Sequence, residues 1–345
     1  MHASYISTAA LRDAPRSQIT RLQTELTDRT KEVATQRHAD VGLALGSATG
    51  HTVSSRIDLA LVETLITSNA SAAARLSMTQ SALADLETVA SEMMSALVAL
   101  PPGNASARTL TIQAQSSLDR FADRLNASDG GSYLFGGQRT QQPPMRRFDD
   151  GARTSIDLQF QAKFGMSAYD PAVATIDPSD MRDFLQNEFA GEFDLTGWDI
   201  AWSSASSGNM QSRIAPSEWL ETGTNANEQA IRTLAQGFSM VAALNLSGLS
   251  ESVREVVVEE ARLVVGRAIT EVVALKAKLG FAENAVDKAD SRLRLSRDIL
   301  TTKIAELEGA DPVEAKVRID LLTTQLEMSY ALTNQLSRLS ILNYA

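Results

Sequence analysis

Apolar or small residues recur at alternating steps of four and three through Ala268, Val272, Leu275, Leu279, Ala282, Val286, Ala289, Leu293, Ser296 and Leu300. This heptad register predicts one long supercoiled helix over Glu251–Glu308, a stretch without proline and with Gly266 and Gly280 as its interior glycines. The positions between are mostly charged, among them Glu271, Lys276, Lys278, Glu283, Asp287, Lys288, Asp290, Arg292, Arg294 and Arg297. At the rise of an α-helix it would be about 85 Å long, so it needs an equally long partner. That partner is expected over residues 53–100, where Ala72, Leu76, Thr79, Leu83, Leu86, Ala90, Met93, Leu97 and Leu100 keep the same register. Pro101-Pro102-Gly103 stops it, because proline removes a backbone donor and restricts the residue before it.

Shorter helices flank these two. Ile19, Leu22, Leu26 and Val33 share a face near the N-terminus, followed by a glycine-marked break at 40–46. Leu110, Ala114, Phe121 and Leu125 predict a helix over 106–127 that ends at Asp129-Gly130-Gly131, and Ala230, Leu234, Phe238 and Val241 predict another. The last helix restarts at Pro312 and runs to 342, with Leu322, Leu326, Leu332, Leu336, Leu339 and Leu342 on one broad stripe. Between Tyr133 and Trp219 lie 12 of the 18 aromatic residues and five of the nine prolines, which argues for a separate small core there. Alternation of Thr154, Ile156, Leu158 and Phe160 with polar residues predicts a half-buried strand, and Asn209–Ile214 a weaker one. A short helix over Ser179–Phe189, capped by Ser179, is expected between them.

The architecture expected is mainly α: an elongated antiparallel helical coiled-coil rod with an inserted small mixed α/β domain. Its boundaries are an N-terminal axial helix and turn over 1–52, the first half of the rod over 53–139 and an outward-facing insert over 140–225. The second half of the rod follows over 226–309 and a C-terminal axial helix over 310–345. Both end helices are amphipathic with few elements to cover them, which marks them for association with other chains. Ile19, Leu22 and Leu26 with Leu322, Leu326, Leu332, Leu336, Leu339 and Leu342 are the candidate intersubunit seams.

Composition narrows the chemistry. A net charge of −10 argues against a nucleic-acid partner, whose binding rests on clustered Lys and Arg. Cysteine is absent, which excludes disulfides and thiolate chemistry, and no apolar run is long enough to insert in a membrane. Residues 1–30 lack the apolar core of a cleaved signal peptide, so either the chain stays in the cytoplasm or it leaves by a route that needs none. His2, His38 and His51 lie too far apart for a metal site, and Asp177, Asp180 and Asp183 lack the glycine and terminal Glu of a calcium loop. Gly130–Gly137 lacks the Gly-Lys-Ser/Thr ending of a P-loop, and Ser203, Ser204, Ser206 and Ser207 form no nucleophile elbow. Arg292, Arg294 and Arg297 read as a solvated coiled-coil flank with intersubunit ion pairs. No catalytic residue and no cofactor is expected.

Three stretches carry a resemblance. Asp129-Gly130-Gly131-Ser132-Tyr133-Leu134-Phe135-Gly136-Gly137, with Thr140 and Pro143-Pro144, is similar to the glycine-bracketed Tyr-Leu-Phe segment that the junction proteins of the flagellin superfamily have at the exit of their first helical arm. Thr224-Asn225-Ala226-Asn227 resembles the return to the rod, and Asp320–Leu342, with Tyr330, Asn334, Leu339 and Ser340, resembles the shared C-terminal helix. Within that superfamily the chain looks most like the hook–filament junction proteins (the third hook-associated proteins). It reads Glu32-Val33-Ala34-Thr35-Gln36-Arg37-His38-Ala39-Asp40 where filament flagellins carry an Arg-Ile-Asn segment and paired aspartates. The resemblance implies an extracellular structural subunit of the flagellum, exported unfolded by the type III pathway with a flagellar export chaperone. It also implies self-association in a ring between the first hook-associated protein and flagellin, with Tyr133, Leu134 and Phe135 pinning the insert to the rod. Filament flagellin itself, a cytoplasmic coiled-coil scaffold and an enzyme carried on the insert are the competing readings.

Overall fold

The computed structural model describes the backbone of residues 8–342 and the side chains of residues 13 and 15–335. Its elements in chain order are α1 (Thr8–Thr35), α2 (Val41–Leu45), α3 (Thr49–Val98), α4 (Asn104–Leu125), β1 (Ser128–Asp129) and β2 (Ser132–Tyr133). Next come α5 (Ala152–Phe164), α6 (Pro178–Gln186), α7 (Glu188–Gly191), α8 (Leu195–Ala201), β3 (Gln211–Ala215) and β4 (Glu218–Glu221). The chain closes with α9 (Gln229–Ala243), α10 (Glu251–Glu308) and α11 (Pro312–Leu342). The fold is mainly α with two short antiparallel hairpins, β1–β2 and β3–β4. Helix α10 has the bounds that its heptads and the following Gly309 predict.

The chain divides into a terminal unit, 1–64 with 293–345, and a central unit, 65–292. In the central unit the long helices are antiparallel partners. The Gln80 amide donates to the Lys276 carbonyl (2.8 Å), Lys276 pairs with Glu87 (2.7 Å), and a Cβ on Gly266 would touch the Met94 methyl at 3.3 Å. Buried residues at the heptad positions, such as Leu76, Leu83, Leu86, Ala90 and Met93 on α3 and Ala268, Val272, Leu279, Val286 and Ala289 on α10, make the seam. Helix α9 is buried without a break from Thr233 to Ala243, because Gly237 lets it approach α10: a Cβ there would lie 2.6 Å from Val265 Cγ2.

Two expectations for the insert are corrected. Residues 154–160 lie in helix α5, not a strand. Ala152, Ile156 and Phe160 recur every four residues and are buried, whereas Leu158 is exposed, so a helical stripe was concealed within the alternation. Gly165 then ends the helix in the left-handed conformation (φ 72°). The cap of α6 is Asp177, whose carboxylate accepts from the Ser179 amide at 2.8 Å, with Pro178 in the first turn. Burial draws no line between insert and helices, either. Phe148, Phe160, Phe184, Phe189, Trp198 and Trp202 join Leu76–Leu125 and Val253–Ala289 in one continuous core. The Asn209–Ile214 strand is present as β3, with a register shift between Arg213 and Ala215.

In the terminal unit α1 packs on α11. Gln23 Nε2 donates to the Tyr330 hydroxyl (2.8 Å) and Arg318 pairs with Glu25 (2.9 Å) across the pair. The turns that follow α1 and precede α11 are stitched by Ala310 N donating to the Gln36 carbonyl (3.1 Å), where Gln36 takes φ 54°.

Candidate assembly surface and insert junction

The sequence placed six leucines of the last helix on one stripe. The structure splits them. Leu322, fully buried, and Leu326, also buried, face inward, together with half-buried Ile319 and Gln325. Opposite them on α1, Ile19, Leu22 and Leu26 are half-buried. Leu332 lies on the other side of α11 and is 60% exposed, in line with exposed Val313, Val317, Leu321 and Met328. These five recur at steps of four and seven, so α11 carries a second apolar stripe that α1 does not cover. The side chains of Leu336, Leu339 and Leu342 lie outside the described residues.

A polar joint fixes the base of this helix pair. The Glu308 carboxylate, at the end of α10, is fully buried. Arg56 on α3 grips it with two hydrogen bonds of 2.6 Å, Nε to Oε1 and Nη2 to Oε2, and Arg37 pairs with Oε2. The Glu308 carbonyl also accepts from the His38 amide (2.9 Å). Such a fork suits a carboxylate because guanidinium donors and carboxylate oxygens match in plane and spacing. Next to it, buried Glu32 accepts from the Ala39 amide (3.1 Å) and Arg29 (2.7 Å), with His38 Nδ1 at 3.7 Å. Burial favours the neutral acid there, but the Ala39 amide, Arg29 and His38 outweigh it and hold Glu32 below the usual carboxylate range.

In the central unit the two remaining resemblance segments meet. Gly130 and Gly131, both with positive φ, make the two-residue turn of the β1–β2 hairpin. Leu134 and Phe135 are then buried and Tyr133 half-buried. Phe135 accepts from Ala226 N (2.9 Å), and Gly136 bridges Asn225. Gly137 (φ 61°) passes so close to the serine-rich loop that a Cβ would lie 2.7 Å from the Gly208 carbonyl. Asn225 donates to Asn209 Oδ1 (2.7 Å), while Asn227 donates to Ser207 Oγ (3.1 Å) and accepts from Trp198 Nε1 (3.1 Å). The serines thus form a hydrogen-bonded loop, in which Ser206 Oγ also accepts from the Gln138 amide (2.9 Å).

Sequence reasoning missed Arg75. Almost wholly buried on α3, it donates to Ser132 Oγ (3.2 Å) and to the carbonyls of Tyr133 (2.5 Å) and Leu134 (3.1 Å). Burial pulls its guanidinium below the usual value, opposed by nearby Asp129. A signal was present: Arg75 is the one charge on α3 between Glu63 and Asp85. The basic cluster of α10 engages this chain rather than standing free, since Arg292 pairs with Glu218 of β4 (2.8 Å) and Arg297 with Asp298 (2.8 Å). Asp183, read as part of an acidic helix start, pairs with Lys163 of α5. Among the described residues no group of His, Asp and Glu is placed to hold a metal ion, and no helix is long and apolar enough to cross a membrane.

The bacterial flagellin N-terminal helical region matches residues 6–140, and the bacterial flagellin C-terminal helical region matches residues 263–345. No curated protein matches the chain in sequence. Among solved structures it is similar to that of a putative flagellar hook-associated protein from Vibrio parahaemolyticus, with a TM-score of 0.52 and 10% identity over 76% of this chain and 97% of that one. A crystal structure of Bacillus cereus FlgL aligns with a TM-score of 0.37 and 8% identity over 75% of this chain and 97% of that one. The first likeness is one of fold. The two family regions together span more than half of the sequence, and the chain belongs to the bacterial flagellin superfamily.

Proposed function

We propose that this flagellar structural protein is the subunit that joins the hook, through the first hook-associated protein, to the flagellin filament. The observation that carries the assembly role is the uncovered stripe Val313, Val317, Leu321, Met328 and Leu332 on α11, next to a helix pair already joined on its other side through Leu322 and Leu326. An apolar face of this length on an extracellular protein finds its cover in neighbouring copies. Leu322 and Leu326 with Ile19, Leu22 and Leu26 hold α1 to α11, and Leu332 belongs to the surface offered to other subunits. The junction is favoured over the filament by the Tyr133-Leu134-Phe135 segment, gripped by Arg75 and joined to Ala226 through the Phe135 carbonyl, and by the Glu32–Asp40 turn built around Glu32 rather than an Arg-Ile-Asn segment. Tyr133, Leu134 and Phe135 anchor the insert, and export proceeds unfolded, with a chaperone. Immunogold labelling of isolated hook–basal bodies with attached filaments tests this reading. Gold confined to the distal end of the hook is expected; gold along the filament would assign the chain to filament flagellin instead.

A further inference from the structure

A groove of about 440 Å³, within the range of small-ligand sites, opens in the central unit between α6–α7 and the helices α9 and α10. Gln236 on α9 and Glu260 on α10 line it, and each is only 8% exposed. Among the described residues the Gln236 side-chain amide has no hydrogen-bond partner at either end, a costly state for a buried polar group. Glu260 Oε1 accepts from Gln186 (3.0 Å) and pairs with Arg182 (3.3 Å), while Oε2 accepts no hydrogen bond among the described residues. Two exposed charges complete the lining, Arg267 on α10 and Asp194 at the start of α8, and among the described residues neither side chain is paired. Exposed Leu263 lies between Glu260 and Arg267 on one face of α10, at steps of three and four, and buried Phe193 and Met240 add apolar lining.

We infer that this groove binds a short free peptide of about three residues, held by its two charged ends. The charges in and beside the groove balance, Asp194 and Glu260 against Arg182 and Arg267, which favours a ligand carrying both signs over one with a net charge. Glu260 and Arg267 are seven residues apart, which sets carboxylate and guanidinium about 10 Å apart along the helix. An extended chain rises about 3.3 Å per residue, so the ammonium and carboxylate of a tripeptide span the same distance. The ammonium then donates to Glu260 Oε2, and the Arg267 guanidinium donates to the carboxylate as a fork. Gln236 carries the same donor and acceptor as a peptide group, and pairs with the backbone between the two ends. The middle side chain lies against Leu263, which selects an apolar residue there.

Titration calorimetry of the purified full-length chain with the peptide Ala-Leu-Ala tests this. Saturable one-to-one binding is expected. Arg267→Gln, at an exposed and unpaired position, should weaken it by about tenfold or more, the loss of a charge-assisted hydrogen bond. Gln236→Met should also weaken binding without lowering the denaturant midpoint of the free chain, because the amide it removes has no partner there. Absence of saturable binding, or equal affinity in Arg267→Gln and the native chain, would overturn the site. Equal affinity for the same peptide with its N-terminus acetylated and its C-terminus amidated would overturn it too, since the groove would then read an internal segment. The measurement needs no assembled flagellum, so its failure leaves the junction role untouched.

Discussion

The central and terminal units are both made of long antiparallel helices, yet they are held together differently. The central unit buries an aromatic train in which Trp198 stacks on Trp202 (5.3 Å between ring centres), Phe193 lies against both, and Phe189 links them to Phe184 and Phe160. Among the described residues the terminal unit buries no aromatic side chain. Its apolar core is Val62, Leu293, Ala310, Ala315, Leu322 and Leu326, and its most specific contacts are the charged ones around Glu308 and Glu32. It also leaves apolar residues on α3, α10 and α11 in water. A region with its own aromatic core is complete as one chain. The terminal unit, with a thin seam, a polar joint and exposed stripes, leaves apolar surface that the proposed assembly would cover.

Removing the centre of the aromatic train should separate the units most sharply. Trp198→Ala leaves a cavity and takes the indole donor from Asn227 Oδ1, and should lower the stability of the central unit by about 3–5 kcal/mol in denaturant unfolding. Protection of the α1 and α11 amides in hydrogen exchange should stay unchanged.

Next in size is Arg75→Met, which keeps the stem and strands the Tyr133 and Leu134 carbonyls. A loss of about 2–3 kcal/mol in the same unfolding transition is expected, by the cost of leaving buried acceptors unpaired. No change after this substitution would mean that Arg75 does not hold the segment.

Glu308→Gln addresses the terminal unit. Because Arg56 and Arg37 are each about half exposed and remain hydrated, the expected loss is about 1–2 kcal/mol, below that for a wholly buried pair. Faster exchange of the His38 and Ala310 amides would report it, with central-unit unfolding untouched.

The smallest effect is one of pH. The folded value of Glu32 lies below its unfolded value, so its contribution is present above the unfolded value and is lost as pH falls through the folded one. Acid should therefore loosen the α1 end of the terminal unit below the usual carboxylate range, and Glu32→Gln should remove that dependence in exchange measurements at Ala39.

The long elements were legible because an uninterrupted heptad has few interpretations: α10 begins and ends where its pattern and Gly309 say. Residues 154–160 were not, since Ile156 and Phe160 satisfy a two-residue and a four-residue spacing alike, and only burial decides. Leu332 was assigned to the stripe of Leu322 and Leu326 because leucine is apolar on either side of a helix; a step of six from Leu326 carries it round to the other face. Glu308 looked like an ordinary charged helix end, and its role depends on Arg37 and Arg56, both remote in sequence. The Tyr-Leu-Phe and Thr-Asn-Ala-Asn segments were each recognisable, but their meeting at Phe135, Gly136 and Asn225 is a product of topology.

The central claim is that the outer stripe of α11 is open in the single chain and closed in the assembly. Leu332→Cys introduces the sole thiol, and its maleimide reactivity can be compared between purified protein and intact flagella. Rapid labelling of the free chain with strong protection in flagella is the result expected; equal reactivity in both, with the protein present in the flagella, would contradict the account.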